Sequence, residues 1–296
     1  MNTMANGNII ARIDGVNEEL YKAGACFHAT YDRIWKSGGE KDAIILRGDN
    51  ELISPVAYPN PGLWQMSDQD IAEILLDTYK SAQNMDIGSI EDYTSKQYIQ
   101  SAVLPRMIHG NDISSLAEHG ITFIPFLDMA VIFSVPIPQD NASDRTAAFR
   151  VTDGLLQSLD VDKTTLLTWA NANLKAQDIV FMPLFQMMEE MCGDSMNGFP
   201  DNGIWILSNS DRFLGASMIL RDDVLDKIGT CFHGDAIILP SSVHEVLAIP
   251  YHDDVDLLEL VDMVKTINAE CVTPEERLSD NVYIYHKHDG YLTAVL

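Results

Sequence analysis

Basic residues are few beside acidic ones in this 296-residue chain: 19 Lys and Arg stand against 44 Asp and Glu, a formal charge of −25. Phosphate neutralisation needs clustered Lys and Arg. No such cluster occurs, which argues against direct binding to nucleic acid and, equally, to anionic membranes. No apolar run reaches the ~18 residues that a bilayer span requires, and no charged-then-apolar leader opens the chain, so a cytoplasmic protein is expected. Cysteine is sparse as well. Cys26, Cys192, Cys231 and Cys271 lie far apart without a CxxC pair, which argues against a disulfide framework or a zinc ribbon and predicts reduced core residues. Gly193, Gly198 and Gly203 have neither Gly-x-Gly spacing nor a following Lys-Ser or Lys-Thr, so no phosphate loop and no nucleotide hydrolysis are expected.

What the chain does have is apolar residues, 46% of the total. That is enough to bury a substantial core, as one large domain or as two packed lobes. The acids thicken towards the C-terminus without forming a tail: from Glu189 onward there are twenty Asp and Glu against six Lys and Arg. They alternate with apolar residues in Arg221 to Asp226 and Asp253 to Glu259, as on the outer faces of amphipathic elements.

The periodicities predict an α+β fold, mixed and largely antiparallel sheets flanked by helices. Leu20, Phe27, Tyr31, Ile34 and Trp35 fit one helical face over Glu18 to Trp35, and a hairpin of Ala43 to Arg47 with Leu52 to Tyr58 follows across Gly48-Asp49-Asn50. Further helices are expected at Asp68 to Ser81, Asp162 to Lys175 with Asp162 as cap, Asp222 to Phe232 and Asp254 to Ala269. Strands are expected at Phe126 to Val135, Phe149 to Thr152, Ile204 to Leu207, Ala216 to Leu220, Ala236 to Leu239 and Val246 to Ile249, with a closing hairpin of Val282 to Tyr285 and Tyr291 to Val295. The abrupt polar stretch from Pro136 to Arg145 suggests a lobe boundary, giving lobes 1–140 and 141–296.

Two motifs carry candidate chemistry. Ser241, Ser242, His244 and Glu245 suggest a hydrolytic centre, but no Gly-x-Ser-x-Gly elbow surrounds them. The structural alternative is a turn whose serine hydroxyls hold backbone groups, with Glu245 or a nearby cation fixing His244. In the second motif, Thr273 is placed to cap a turn at Pro274 with Glu276 answering it, and Ser279 or Asp280 ends that turn. Glu275 and Glu276 are adjacent and diverge on a helical turn, so no metal is expected there. Cys26-Phe27-His28 and Cys231-Phe232-His233 repeat a tripeptide too short to argue for zinc. His286 and His288 alternate on the closing hairpin and read as exposed histidines sharing a sheet face.

Ile238 to Pro250 and Pro274 to Tyr283, with Gly203 to Asn209 and Gly215-Ala216 upstream, resemble a bacterial family known as domain of unknown function 5688. Ile53 to Tyr58, Phe126 to Phe133, and Trp169 with Ala172 to Leu174 extend the similarity. The match fades before about Ala43. The resemblance implies one shared fold with the two motifs, and no catalytic assignment.

Charge suggests a non-enzymatic binding protein that engages a basic surface on another macromolecule, in its sharper form a nucleic-acid mimic that inhibits a nucleic-acid-handling enzyme. Its candidate acidic surface is Asp222, Asp223, Asp226, Asp253, Asp254, Asp256, Glu259 and Asp262. The alternative is a small-ligand binder or hydrolase-like enzyme centred on His244 and Glu245, with Asp128 or Asp280 in support. Neither reading calls for a cofactor.

Overall fold

The computed structural model describes residues 6–36, 39–48, 54–83, 90–138, 147–192, 203–240 and 242–296. It is an α+β fold of two compact units, residues 1–92 with 137–147 and residues 93–136 with 148–296. The boundary expected after residue 140 and the turn at Asp49-Asn50 lie outside the described residues, as does most of the Gly-rich loop after Met191.

In the first unit, α1 (Asn6–Lys22) and α2 (Asp68–Gln83) pack on an antiparallel sheet of β1 (Phe27–Lys36), β2 (Gly39–Gly48) and the short β3 (Val56–Ala57). Val16, Leu20, Ile44, Leu46, Ile71 and Leu75 form its core. Asn17 fastens α1 to β1, its side chain donating to the Ala29 carbonyl and accepting the Ala29 N–H at 2.9 and 2.8 Å. The helix expected over Glu18 to Trp35 is thus two elements. α1 stops at Lys22, Gly24 adopts φ 75°, and residues 27–36 form a ten-residue ladder with β2. Phe27, Tyr31 and Trp35, four apart, satisfy a helical face and equally one face of a strand, so their spacing does not separate the two. A single-turn helix, α3 (Ile90–Tyr93), closes this stretch.

The second unit holds two sheets. The smaller comprises β4 (Leu104–His109), β5 (Phe123–Phe126), β6 (Met129–Ile137) and β7 (Ala147–Arg150), with β6 paired to the other three. Helices α4 (Lys96–Ala102), α5 (Ile113–Glu118), α6 (Asp153–Leu159) and α7 (Lys163–Lys175) accompany it, and α4, α6 and α7 share a core with Phe133 and Val135. Asp162 caps α7 as expected, accepting the Thr165 N–H at 2.7 Å. The strand expected over Phe126 to Val135 is the end of β5, a turn at Leu127-Asp128 and β6. Leu127, at φ 56°, reverses the chain inside the apolar run.

The larger sheet runs β13-β12-β10-β11-β9-β8, antiparallel throughout. Its strands are β8 (Ile179–Pro183), β9 (Trp205–Asn209), β10 (Ala236–Leu239), β11 (Val246–Pro250), β12 (Tyr283–His286) and β13 (Tyr291–Ala294). α8 (Leu184–Cys192) follows β8. Strand residues alternate between faces, and the two clusters divide on that parity. Val224, Leu225 and Ile228 of α9 (Asp222–Phe232) pack with Ala236, Ile238, Val246 and Ala248. Val261 and Val264 of α10 (Leu257–Cys271) pack with Ile237 and Leu239. The two helices therefore cover opposite faces of one sheet. Asp256, two residues later than the expected start, caps α10 by accepting the Leu258 and Glu259 N–H groups.

Ala216 to Leu220 is not a strand but a 3-10 segment, Gly215–Leu220, in which Gly215 to Ile219 are all buried. An apolar run buried on every side carries no period to read. Cys26, Cys231 and Cys271 are free thiols but exposed, not core residues. Each sits at an element edge where the apolar stripe has ended. Among the described residues no helix is long and apolar enough to cross a membrane.

Arg221, with its side chain 8% exposed, ties α7 to α9. Nη1 donates to the carbonyls of Leu174 and Gln177 at 3.2 and 2.9 Å, while Nε and Nη2 grip Asp223 at 3.2 and 2.7 Å. Replacing it by Met takes the guanidinium donors from both carbonyls, of which Leu174 keeps the Gln177 N–H, and is expected to cost about 1–3 kcal/mol in urea denaturation. The guanidinium also holds the Asp223 carboxyl below its usual range. A depressed folded-state value stabilises above the unfolded value and is lost as pH falls through the folded one. The stability gap between wild type and Asp223→Asn is therefore expected to be constant from neutral pH to about pH 5 and to close below pH 3.8.

Candidate functional site

The first motif forms a tight turn ahead of β11. The Ser242 N–H donates to the Glu245 carbonyl at 3.1 Å. Its hydroxyl accepts the His244 N–H and donates to Glu245 Oε1, both at 3.0 Å. Ser241 lies outside the described residues. The serine hydroxyl thus secures the turn, and the Glu245 carboxylate closes it rather than touching the His244 ring.

That ring is held from elsewhere. The Leu214 N–H donates to His244 Nδ1 at 3.2 Å, which leaves the ring proton on Nε2. Nε2 lies 3.7 Å from Glu276 Oε1 of the second motif, and the rings of Phe213 and His244 are 5.3 Å apart. The backbone joins the motifs as well, because the Val243 N–H donates to the Glu276 carbonyl at 2.9 Å. Ser208 donates to the His244 carbonyl at 2.8 Å.

The loop opposite is strained. Arg212 and Leu214 have φ of 53° and 57°, a region that costs a side-chain-bearing residue energy and persists only where its surroundings enforce it. Here Asn209 enforces it, accepting the Phe213 N–H and donating to the Phe213 carbonyl, together with the His244 ring on Leu214. The result presents Phe213 to solvent at 49% exposure. Gly215 follows directly, and a Cβ there would lie 2.2 Å from Ser208 Oγ and 2.7 Å from the His244 carbonyl oxygen.

Much of the second motif is a buried brace. The turn from Thr273 closes through its carbonyl, which accepts the N–H groups of Glu276 and Arg277 at 3.0 Å, rather than through the expected hydroxyl cap. Ser279, expected to end the turn, instead donates to Asp128 Oδ2 at 2.8 Å, while Tyr283 donates to Asp128 Oδ1 and lies 2.7 Å from Ser279 Oγ. Burial, and then the Asp128 carboxylate, push the Tyr283 phenol well above its usual range. Asn268 of α10 donates to the Ser279 carbonyl and to Asp280 Oδ1, and Arg277 donates to the Asn268 carbonyl.

Ser242 is brought together with Glu245, and His244 with Glu276 in place of the expected Glu245. Ser242 and the His244 ring are not brought together. A Ser–His nucleophile needs the hydroxyl on a ring nitrogen with a free lone pair, whereas this hydroxyl faces a carboxylate and the lone pair on Nδ1 is occupied. Among the described residues no three His, Cys, Asp or Glu side chains are placed to hold a metal ion. His286 bonds Thr293 within the hairpin, and His288 sits in its turn, exposed beside Asp289.

The acidic candidates fall into two groups on opposite faces of the larger sheet. Asp222, Asp223 and Asp226 belong to α9, and Asp253, Asp254, Asp256, Glu259 and Asp262 lie on α10 or just before it. All are exposed, but Asp223 is bound to Arg221 and Asp256 to its helix start. The residues that sequence reasoning missed are Phe213, Leu214 and Asn209, because left-handed non-glycine backbone leaves no pattern in composition. Tyr283, read only as the end of a motif inside a strand, gave no sign that its hydroxyl meets a residue 155 positions away.

His244→Leu is expected to leave the Leu214 N–H without an acceptor, at a cost of about 1–2 kcal/mol, and to speed amide exchange at Phe213 and Leu214 while β10 stays protected. Gly215→Ala is expected to destabilise by about 1–3 kcal/mol through overpacking, read by chemical denaturation.

No curated protein and no solved structure matches the chain. The model of a family of unknown function (DUF5688) matches residues 14–287, which takes in both motifs, the strained loop and the Asp128 brace. The chain belongs to that family.

Proposed function

We propose that this is a cytoplasmic binding protein without catalytic activity, whose acidic surface around α10 engages a basic surface on another macromolecule. The observation that carries the reading is the composition of the outer face of that helix. Leu258, Met263 and Ile267 are 60%, 45% and 48% exposed among the exposed carboxylates of Asp253, Asp254, Glu259 and Asp262. Between Asp253 and Glu270 the only base is Lys265. Apolar side chains rimmed by one sign of charge suit a partner that offers apolar contact inside a basic rim, where charge steers the encounter and desolvated apolar area holds it. In the sharper form of the proposal the carboxylates stand where phosphates do, and the protein occupies the channel of a nucleic-acid-handling enzyme. The α9 carboxylates, on the other face of the sheet, belong to a separate surface.

One observation favours a second reading, a small-ligand or hydrolase-like site centred on His244 and Glu245: the strained loop that exposes Phe213 beside the His244 ring. Strain of this kind gathers at ligand sites.

The test compares tagged wild type with the combined variant Asp253→Asn, Asp254→Asn, Glu259→Gln and Asp262→Asn, by capture from lysate at low and high salt. A nucleic-acid-handling protein retained by wild type, released by salt, displaced by added DNA or RNA and lost from the variant is the expected result. Equal recovery by both proteins removes the basis of the α10 reading. A ligand screen read against His244→Ala then decides the second.

A further inference from the structure

The larger sheet ends in β8 on one side and β13 on the other. An edge strand leaves a row of backbone groups open to pairing, and proteins blunt such edges with charged residues, prolines or a covering element. β8 ends in Pro183 and runs directly into α8. β13 is Tyr291-Leu292-Thr293-Ala294, with neither proline nor charge, in a chain whose net charge is −25. Tyr291 is 50% exposed.

The register shows which groups β13 leaves open. Tyr283 lies opposite Ala294 and Ile284 opposite Thr293, and the Val295 N–H donates to the Val282 carbonyl at 2.9 Å. Hydrogen-bonded and non-bonded pairs alternate along an antiparallel ladder. The bonded pairs are therefore Val282 with Val295, Ile284 with Thr293 and His286 with Tyr291. Leu292 and Ala294 fall between them, so their N–H and C=O groups point away from β12. Among the described residues no loop backbone and no side chain is hydrogen-bonded to these groups.

Carboxylates flank this edge on both faces of the sheet. On one face, a Cβ at Gly229 would lie 3.0 Å from both Tyr285 Cε1 and Lys287 Cγ, so α9 leans on β12 there. Asp222 and Asp226 stand seven and three positions earlier, on the same helical stripe, and both are exposed. They overlook the face that carries Tyr285 and its partner Leu292. On the other face Asp235 lies beside His286, with Oδ2 3.5 Å from Nδ1 and Oδ1 accepting the Lys287 N–H at 2.9 Å. The rings of His286 and Tyr291 are 5.1 Å apart. Lys287 is the one Lys or Arg between Tyr283 and Leu296.

We propose that β13 is a docking edge that takes a basic, extended segment of a partner protein as a further strand of the sheet. In strand addition the main-chain bonds supply affinity and alternate side chains supply selectivity. Here the outward groups of Leu292 and Ala294 make the bonds. Basic side chains on one face of the added strand meet Asp222 and Asp226, and those on the other meet Asp235. This edge is separate from the outer face of α10, and the proposal does not rest on that surface. It gives the α9 carboxylates a partner of their own.

The experiment is fluorescence anisotropy of the full chain with a labelled eight-residue peptide of alternating Lys and Val at low ionic strength. Saturable binding is expected. The same peptide methylated on every backbone amide keeps the charge and loses the donors, and is expected to bind at least tenfold more weakly. Ala294→Pro removes one outward N–H while the bonds of Thr293 and Val295 to β12 remain. It is expected to keep the wild-type unfolding midpoint and to weaken the peptide about tenfold. Asp222→Asn combined with Asp226→Asn is expected to weaken it about fivefold. Amide exchange supplies a readout on the wild-type chain alone. Leu292 and Ala294 are expected to exchange faster than Thr293 in the free protein and to slow on addition of the peptide. The proposal is overturned by the absence of saturable binding, by equal binding of the methylated peptide, or by unchanged exchange at Leu292 and Ala294 in the complex. Wild-type affinity in Ala294→Pro, with binding lost from the α10 variant Asp253→Asn, Asp254→Asn, Glu259→Gln and Asp262→Asn, overturns it and leaves the α10 reading standing.

Discussion

The second unit turns on one carboxylate. Asp128 stands at the β5–β6 turn, and its two oxygens accept hydroxyls from Ser279 and Tyr283. A buried phenol and a buried serine each need an acceptor, and an ionised carboxylate is the strongest that a protein offers. From Ser279 the network runs on: Asn268 of α10 holds its carbonyl, Arg277 holds Asn268, and Glu276, next in the chain, accepts from Val243. The smaller sheet, α10 and the turn before β11 are thus set by a connected series of bonds in which each acceptor is fixed by the previous one. Networks of this kind reinforce each other when complete.

His244 is the far end of that series. Its position follows from Val243 on one side and from Ser208 and Leu214 on the other, so the ring is a structural part before it is a chemical one. Its accepted N–H keeps Leu214 in left-handed backbone, and the cost of that backbone is borne by the bonds of Asn209 and His244 together. Phe213 stands exposed as a result. An exposed phenylalanine held by strain differs from one stranded on a helix surface, since its orientation is fixed before anything binds.

The sequence made the α+β class and most elements of the second unit legible, because α7, α9 and α10 carry clean amphipathic stripes and the strands between them are short and alternate. It misled where a pattern has two readings. Phe27, Tyr31 and Trp35 fit both periods, and Ala216 to Leu220 is apolar throughout because it is buried throughout. The turn within Phe126 to Val135 was hidden because Leu127 is apolar, and left-handed backbone at leucine has no compositional mark. Of the site, the local part was readable in outline: a serine turn follows from spacing, but the Glu245 carboxylate closes on Ser242 and not, as expected, on His244. The pairing of His244 with Glu276 and of Asp128 with Tyr283 was not, since both depend on which strands lie side by side.

Placing α9 and α10 on opposite faces of one sheet has an electrostatic consequence. Two layer spacings of roughly 10 Å separate the helices, so their carboxylates lie on the order of 20 Å apart, beyond the ~8 Å Debye length of physiological salt. In dilute buffer the two groups add and the molecule attracts cations from every side. At cellular ionic strength each face acts alone, and an approaching partner meets only the charges of the helix in front of it.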